Sequence, residues 1–274
     1  MRACRIKNRL LHCVLFASAV FVLALPVRGE SLVIDDFESP SPAEVFALAG
    51  PGPVLPSEML MQHNVSGVLG GQRDVLVEVL SGPQSISVAG LVGYDADFEV
   101  GNVQLAAFGN PGTRLSLQYD GADGAINPDT TDGLQNARAM NVDLTGGGTS
   151  TGLLLRFLSV DPAQIEGLPV SIVATSPNNT LGGQLVYEGF VPESAGGMDH
   201  VIPFADFSVE AAPGDPIPSF SQIDSLTFVF NGEGVPNVDY RLDLIKAVPE
   251  PPALIALWAG ACALAFFGWC RRKR

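Results

Sequence analysis

The long middle of this chain contains neither cysteine nor tryptophan. All six residues of these two types lie near the ends of the sequence, at Cys4, Cys13, Trp258, Cys262, Trp269 and Cys270. The absence of cysteine excludes a disulfide framework and a cysteine metal site between the ends. The stability of the middle segment must therefore come from core burial, sheet pairing and bound ions.

Charged side chains are also scarce, at 16% of the 274 residues, whereas the sequence holds 30 glycines and 21 prolines. This balance is typical of many short strands joined by turns and disfavours a helical bundle. We therefore expect an all-β body.

Basic residues are rarest in the middle segment. Nine of the fifteen stand in the terminal segments, so six basic residues face 28 acidic residues over 30–247, a formal charge of about −22. Such a charge repels nucleic acid and anionic lipid. Nucleic-acid binding is thereby excluded, while neutral partners and divalent cations stay open.

Residues for catalysis are few. Of the three histidines, His12 lies in the leader, His63 in an expected loop and His200 at an expected strand start. No G-x-S-x-G or H-E-x-x-H pattern occurs. We expect that the protein is not an enzyme, although paired carboxylates on a sheet face leave a glycoside-acting enzyme as an alternative.

The N-terminus has the layout of a signal peptide. Arg2, Arg5, Lys7 and Arg9 precede an apolar run over 10–25, and Pro26-Val27-Arg28-Gly29 follows it. The run is short for a bilayer core of about 30 Å, and small residues precede the expected cut. Residues 1–29 are therefore predicted to be a cleaved leader for the Sec machinery.

The C-terminus combines a proline-rich break, an apolar span and a basic cluster. Val248-Pro249-Glu250-Pro251-Pro252 leads into residues 253–269, which carry no charge, and the chain stops at Arg271-Arg272-Lys273-Arg274. The span is near the lower limit of about 17 residues for a transmembrane helix, and the cluster keeps its far end cytoplasmic. A tail of this kind is either cut off after export or anchors the protein in the inner membrane.

This tail, residues 248–274, resembles the PEP-CTERM sorting signal. The resemblance implies that an exosortase recognises Val248, Pro249, Glu250 and Pro251 and removes the tail, while Arg271, Arg272, Lys273 and Arg274 act as the basic stop. It also implies an inner-membrane intermediate, then a cell-surface or extracellular product in an organism that makes extracellular polysaccharide.

The remaining segment, residues 30–247, is expected to form one β-sandwich. About twelve short runs alternate apolar and polar residues, with turn residues between most of them. The runs are Leu32–Phe37, Asp74–Leu80, Gln84–Val92, Phe98–Phe108, Arg114–Tyr119, Ala139–Leu144, Gly152–Val160, Pro169–Thr175, Gln184–Phe190, His200–Phe204, Ile223–Phe230 and Asp239–Ala247. The longest expected loops are Ala43–Arg73 and Gly121–Arg138.

The opening strand, with Asp35-Asp36-Phe37-Glu38, and the closing strand, with Asp239-Tyr240-Arg241-Leu242-Asp243, resemble those of galactose-binding-like jelly rolls. The resemblance implies that the first and last strands pair. It also implies a structural calcium ion held by Glu38 and Asp243, with backbone carbonyls completing the six to eight oxygens that calcium takes. Two acids on a solvated face are the alternative.

For function, these features favour a structural or matrix-associated envelope protein. The alternative is a module that binds carbohydrate, such as the extracellular polysaccharide, although flat sugar faces stack on aromatic side chains and the body has no tryptophan. The aromatic candidates for such a site are Tyr94, Tyr119, Tyr187 and Tyr240.

Overall fold

The computed structural model describes most of the body of the chain. The described residues are 31–40, 44–50, 57–63, 66–81, 86–95, 100–108, 112–121, 140–161, 167–176, 183–214, 216–231, 234–236 and 238–249. The body is a compact unit, Glu30–Val248. A second unit joins Met1–Gly29 with Pro249–Arg274, and apart from Pro249 it lies outside the described residues.

The first of two antiparallel sheets has seven strands in the order β11-β8-β14-β6-β5-β2, with β1 also paired to β14. Its strands are β1 (Leu32–Asp35), β2 (Glu44–Gly50), β5 (Ile86–Asp95), β6 (Val100–Phe108), β8 (Gly152–Asp161), β11 (Met198–Pro203) and β14 (Asp239–Val248).

The second sheet also has seven strands, in the order β12-β10-β9-β13-β7-β4-β3. They are β3 (Ser57–His63), β4 (Gln72–Ser81), β7 (Gly112–Tyr119), β9 (Leu168–Thr175), β10 (Gln184–Val191), β12 (Ser208–Glu210) and β13 (Ser225–Phe230). Two short 3₁₀ helices, Leu69–Gly71 and Phe204–Asp206, complete the described elements. None of the helices within the described ranges is long and apolar enough to cross a membrane.

The core lies between the sheets because alternate residues of each strand point inward. On β13, for example, Leu226, Phe228 and Phe230 are buried while Thr227 and Val229 are half-exposed. Both sheets contribute, and the described residues of the buried apolar cluster all come from the unit Glu30–Val248. The described part of this unit therefore forms a hydrophobic core of its own.

The first and last strands pair as the sequence predicted. Leu32 lies opposite Ala247 and Val33 opposite Lys246, with an irregularity before Asp35 and Ile245. The all-β sandwich expected from the alternating runs is confirmed, and the predicted penultimate strand is β13.

Three local predictions were wrong. The expected loop Ala43–Arg73 contains β2 and β3, and β12 was not expected. The run predicted over Ala139–Leu144 forms no strand among its described residues, where Val142 makes an isolated bridge to Ile223. Residues 122–138 of the second expected loop lie outside the described residues.

Candidate functional site

A fully buried ionic network joins the first strand to the second sheet. The Arg73 guanidinium donates from Nε to Asp35 Oδ2 (2.6 Å) and from Nη2 to Asp35 Oδ1 (2.7 Å). The Tyr119 hydroxyl donates to Asp35 Oδ2 (2.7 Å). All three side chains are completely buried, so the carboxylate depends on these donors in place of water.

This network also holds the segment that follows β1. The Phe37 amide donates to Asp35 Oδ1 (2.8 Å), Arg73 donates to the Ser39 carbonyl (3.3 Å), and the guanidinium lies 4.9 Å from the centre of the Phe37 ring. Phe37 has a φ of 53°, which a residue with a large side chain seldom adopts. Burial raises the pKa of the Asp35 carboxyl, and Arg73, Tyr119 and the Phe37 amide oppose that shift.

The two residues predicted to hold calcium, Glu38 and Asp243, are electrostatic neighbours. Burial raises the pKa of the Asp243 carboxyl; Arg156 lowers it, and Glu38 raises it as a nearby like charge does. The structure thus brings a residue just after β1 close to one on β14.

Asn102 lies on β6, the strand that pairs with β14 next to Asp243. It precedes Val103, which pairs with Leu242, the residue before Asp243. Asn102 is buried to 1% exposure, and neither polar atom of its amide has a hydrogen-bond partner in the described part of the chain. Carboxylate and amide oxygens are the ligand types that calcium takes. No group of three or more His, Cys, Asp or Glu suited to a metal occurs among the described residues.

The outward face of the second sheet is a separate surface, which we call the second-sheet face. Its side chains stand in register across β4, β7, β13, β9 and β10. One row is Asp74, Gln118, Thr227, Val173 and Val186, and the next is Leu76, Ser116, Val229, Ser171 and Glu188, followed at the rim by Glu78, Arg114, Pro169 and Phe190.

One end of the second-sheet face is buried and polar. Gln72 donates to Asp74 (3.1 Å), and Gln118 donates to Asp120 (3.1 Å). All four side chains are at most 3% exposed. One carboxylate thus lies on β4 and the other directly after the neighbouring strand β7, each held by a carboxamide two residues away.

The other end is open and carries an aromatic ring. Phe190 is 59% exposed, and Glu188, which shares this face of β10, is exposed as well. Phe190 lies opposite Pro169, and Glu188 lies opposite Ser171. β12 pairs with 184–186 of β10, so the stretch around Phe190 borders no further strand among the described elements. An accessible ring beside a carboxylate and a hydroxyl suits the apolar face and polar edge of a sugar.

The aromatic candidates named from the sequence lie elsewhere. Tyr119 and Tyr240 are buried, and Tyr187 packs against Phe207 on the inward side of β10. There the Tyr187 ring covers Gly189, where a Cβ would collide with the Tyr187 hydroxyl. Tyr94, at the end of β5, is half-exposed. The sequence places Phe190 in a strand without marking it as a candidate, because alternation identifies a face without telling whether that face is covered.

The two body histidines are in strands. His63 belongs to β3, and His200 lies inside β11, half-buried opposite Leu155. The predictions of a loop for His63 and of a strand start for His200 were therefore wrong. Burial lowers the pKa of His200.

The predicted sorting residues fall at the limit of the described chain. Val248 is the last residue of β14 and accepts a hydrogen bond from the Thr151 amide (2.9 Å). Pro249 is half-buried. Glu250, Pro251, the apolar span 253–269 and the basic residues 271–274 lie outside the described residues.

No protein-family profile and no curated protein matches the chain. Among solved structures, it is similar to a family 11 carbohydrate-binding module from Clostridium thermocellum, solved with a beta-1,3-1,4-mixed-linked tetrasaccharide. The two share 14% identity with a TM-score of 0.36, over 80% of this chain and 95% of that chain. It is also similar to the solution structure of CtCBM11, at 15% identity and a TM-score of 0.39, over 83% of this chain and 99% of that chain.

Proposed function

We propose that the body is a non-catalytic carbohydrate-binding sandwich, exported and displayed at the cell envelope through its sorting tail. The observation that carries the proposal is the exposed Phe190 ring on the open end of the second-sheet face, next to Glu188 and opposite Pro169. A partner that covers this ring removes apolar surface from water, and that burial is favourable.

The contacts expected at this site follow from its chemistry. The Phe190 ring stacks on the apolar face of a pyranose, the Glu188 carboxylate accepts from sugar hydroxyls, and Ser171 donates or accepts on the neighbouring strand. The three residues stand on rigid, paired strands, so little conformational entropy is lost on binding.

The test is binding of the body, residues 30–248, to soluble polysaccharides by affinity electrophoresis and calorimetry. Phe190→Ala should weaken binding about tenfold, since an aromatic contact contributes roughly 0.5–1.5 kcal/mol beyond area burial. Phe190→Tyr should retain it. Ile217→Ala is the matched control because Ile217 is an exposed apolar residue (78%) outside this face. Equal affinities for wild type and Phe190→Ala would refute the site.

We propose in addition that Glu38, Asp243 and Asn102 hold a structural calcium ion between the end of β1 and β14. The electrostatic proximity of the two carboxylates and the unpartnered Asn102 amide support this proposal. Backbone carbonyls would supply the remaining ligands.

A further inference from the structure

Among the described residues, the charges without an opposite partner near the open end of the second-sheet face are negative. Glu188 is exposed there, and Glu193 is exposed just past the end of β10. The basic residue of the rim on the described strands is Arg114, whose Nε donates to Glu78 (2.7 Å). Arg114 and Glu78 are about a quarter exposed, at 26% and 22%, and neutralise each other.

The other described cations of the body lie away from this site. Arg73 is enclosed with Asp35 in the core. Arg156, Arg241 and Lys246 belong to β8 and β14 of the first sheet. Arg156 pairs there with Asp199 (2.7 Å). The sixth body cation, Arg138, is outside the described residues.

A polyanion at the Phe190 end would therefore meet Glu188 without a compensating guanidinium from the described strands. It would also approach a segment, residues 30–247, that carries six basic and 28 acidic residues. Like charges within a Debye length of about 10 Å repel, and the repulsion is strongest at low salt.

We infer that the ligand of the Phe190 site is an uncharged polysaccharide and that Glu188 is the residue that rejects acidic ones, such as polymers of uronic acids. This inference rests on the proposed function and names the ligand class of the same site. Glu188 acts in two ways: it accepts from neutral hydroxyls and repels carboxylates.

The test compares polymers that differ only in charge. Each pair consists of an acidic polymer and its neutral counterpart. Three pairs are polygalacturonate, alginate and the producing organism's own exopolysaccharide, each before and after its carboxyl groups are reduced to neutral sugars; the fourth is a carboxymethyl β-glucan and the neutral β-glucan. Binding of every member to the body is measured at about 20 mM and 200 mM salt. We expect retention by neutral members only, with little salt dependence. In each pair whose neutral member is retained, Glu188→Lys should raise the affinity for the acidic member at least tenfold at low salt.

Asp161→Lys is the matched control, because it makes the same charge change at an exposed end of β8 in the first sheet. It should gain no acidic ligand. If wild type retains acidic members as strongly as neutral ones, and Phe190→Ala still weakens retention, the ligand class is wrong while the proposed function stands. If no member of any pair is retained, both fail.

Discussion

At the scale of single residues, Arg73 carries the largest consequence for stability. Its guanidinium makes two of the hydrogen bonds to Asp35, and both side chains are fully buried. Replacing it leaves a carboxylate in the core without its counter-charge.

Arg73→Met should therefore destabilise the body by about 3–5 kcal/mol. Tyr119→Phe removes one donor to the buried carboxylate and should cost about 1.5–3 kcal/mol. Urea unfolding measures both. The double variant Asp35→Asn/Arg73→Met should recover part of the loss, because a neutral amide leaves no buried charge; a double variant less stable than Arg73→Met would contradict this account.

His200 is the residue expected to make stability depend on pH near neutrality. Burial lowers its pKa in the folded protein below the ordinary value of about 6.5. The unfolded chain then binds more protons than the folded protein just below pH 6.5. The free energy of unfolding should therefore be at its full value above that pH and fall as the pH is lowered through 6.5 toward the folded pKa.

His200→Gln should flatten the unfolding free energy between pH 5 and 7, measured in urea at several pH values. His63→Gln is the control, since His63 is the other histidine of the body. An unchanged slope in His200→Gln would show that another group titrates in this range.

At the scale of elements, the pairing of β1 with β14 brings the two predicted calcium ligands together. Glu38 lies in the segment after β1 that Arg73 holds, and Asp243 lies within β14. The pairing was expected because the acidic sequences of both strands resemble the first and last strands of galactose-binding-like jelly rolls, which pair.

If calcium joins these elements, chelation with EDTA should lower the melting temperature, and added calcium should restore it, because a ligand bound by the folded state alone stabilises it. Glu38→Gln/Asp243→Asn should melt at the same temperature with and without EDTA. The control Asp161→Asn should keep the response. If EDTA leaves the melting temperature of the wild-type protein unchanged, the proposed calcium site is wrong.

The strands missed by sequence reasoning are at the edges of the sheets. β2, β3 and β12 are the terminal strands in their pairing orders. The segments around β2 and β3 contain several prolines, which are turn signals. An edge strand pairs on one side only, and its side chains need not alternate strictly between apolar and polar. Its pairing is therefore set by the neighbouring strand rather than by its own sequence pattern.

At the scale of the whole molecule, the body ends in a paired strand and the proposed sorting motif follows immediately. Val248 is paired with Gly152, and the motif continues through Pro249, Glu250 and Pro251. Proline has no backbone N–H to donate to a sheet, so we expect Pro249 and Pro251 to keep the motif accessible to a processing enzyme.

Replacing Pro249 and Pro251 together with alanine should leave full-length protein in the inner membrane, detected by fractionation and immunoblotting with a C-terminal tag. Pro213→Ala/Pro216→Ala, in an exposed part of the body, is the control and should mature normally. Normal maturation of the Pro249/Pro251 variant would remove the sorting proposal.

The pairing of the first and last strands was implied by their resemblance to galactose-binding-like jelly rolls, while the sequence by itself determined the all-β class and the acidic and cysteine-free body. These properties depend on composition and on period-two alternation, which are local. The tertiary structure alone decided that Tyr119 and Tyr240 are buried, that Arg73 meets Asp35, and that Phe190 stays exposed. Alternation assigns residues to a face, but whether that face is covered depends on the packing of the second sheet and on where each strand lies between centre and edge.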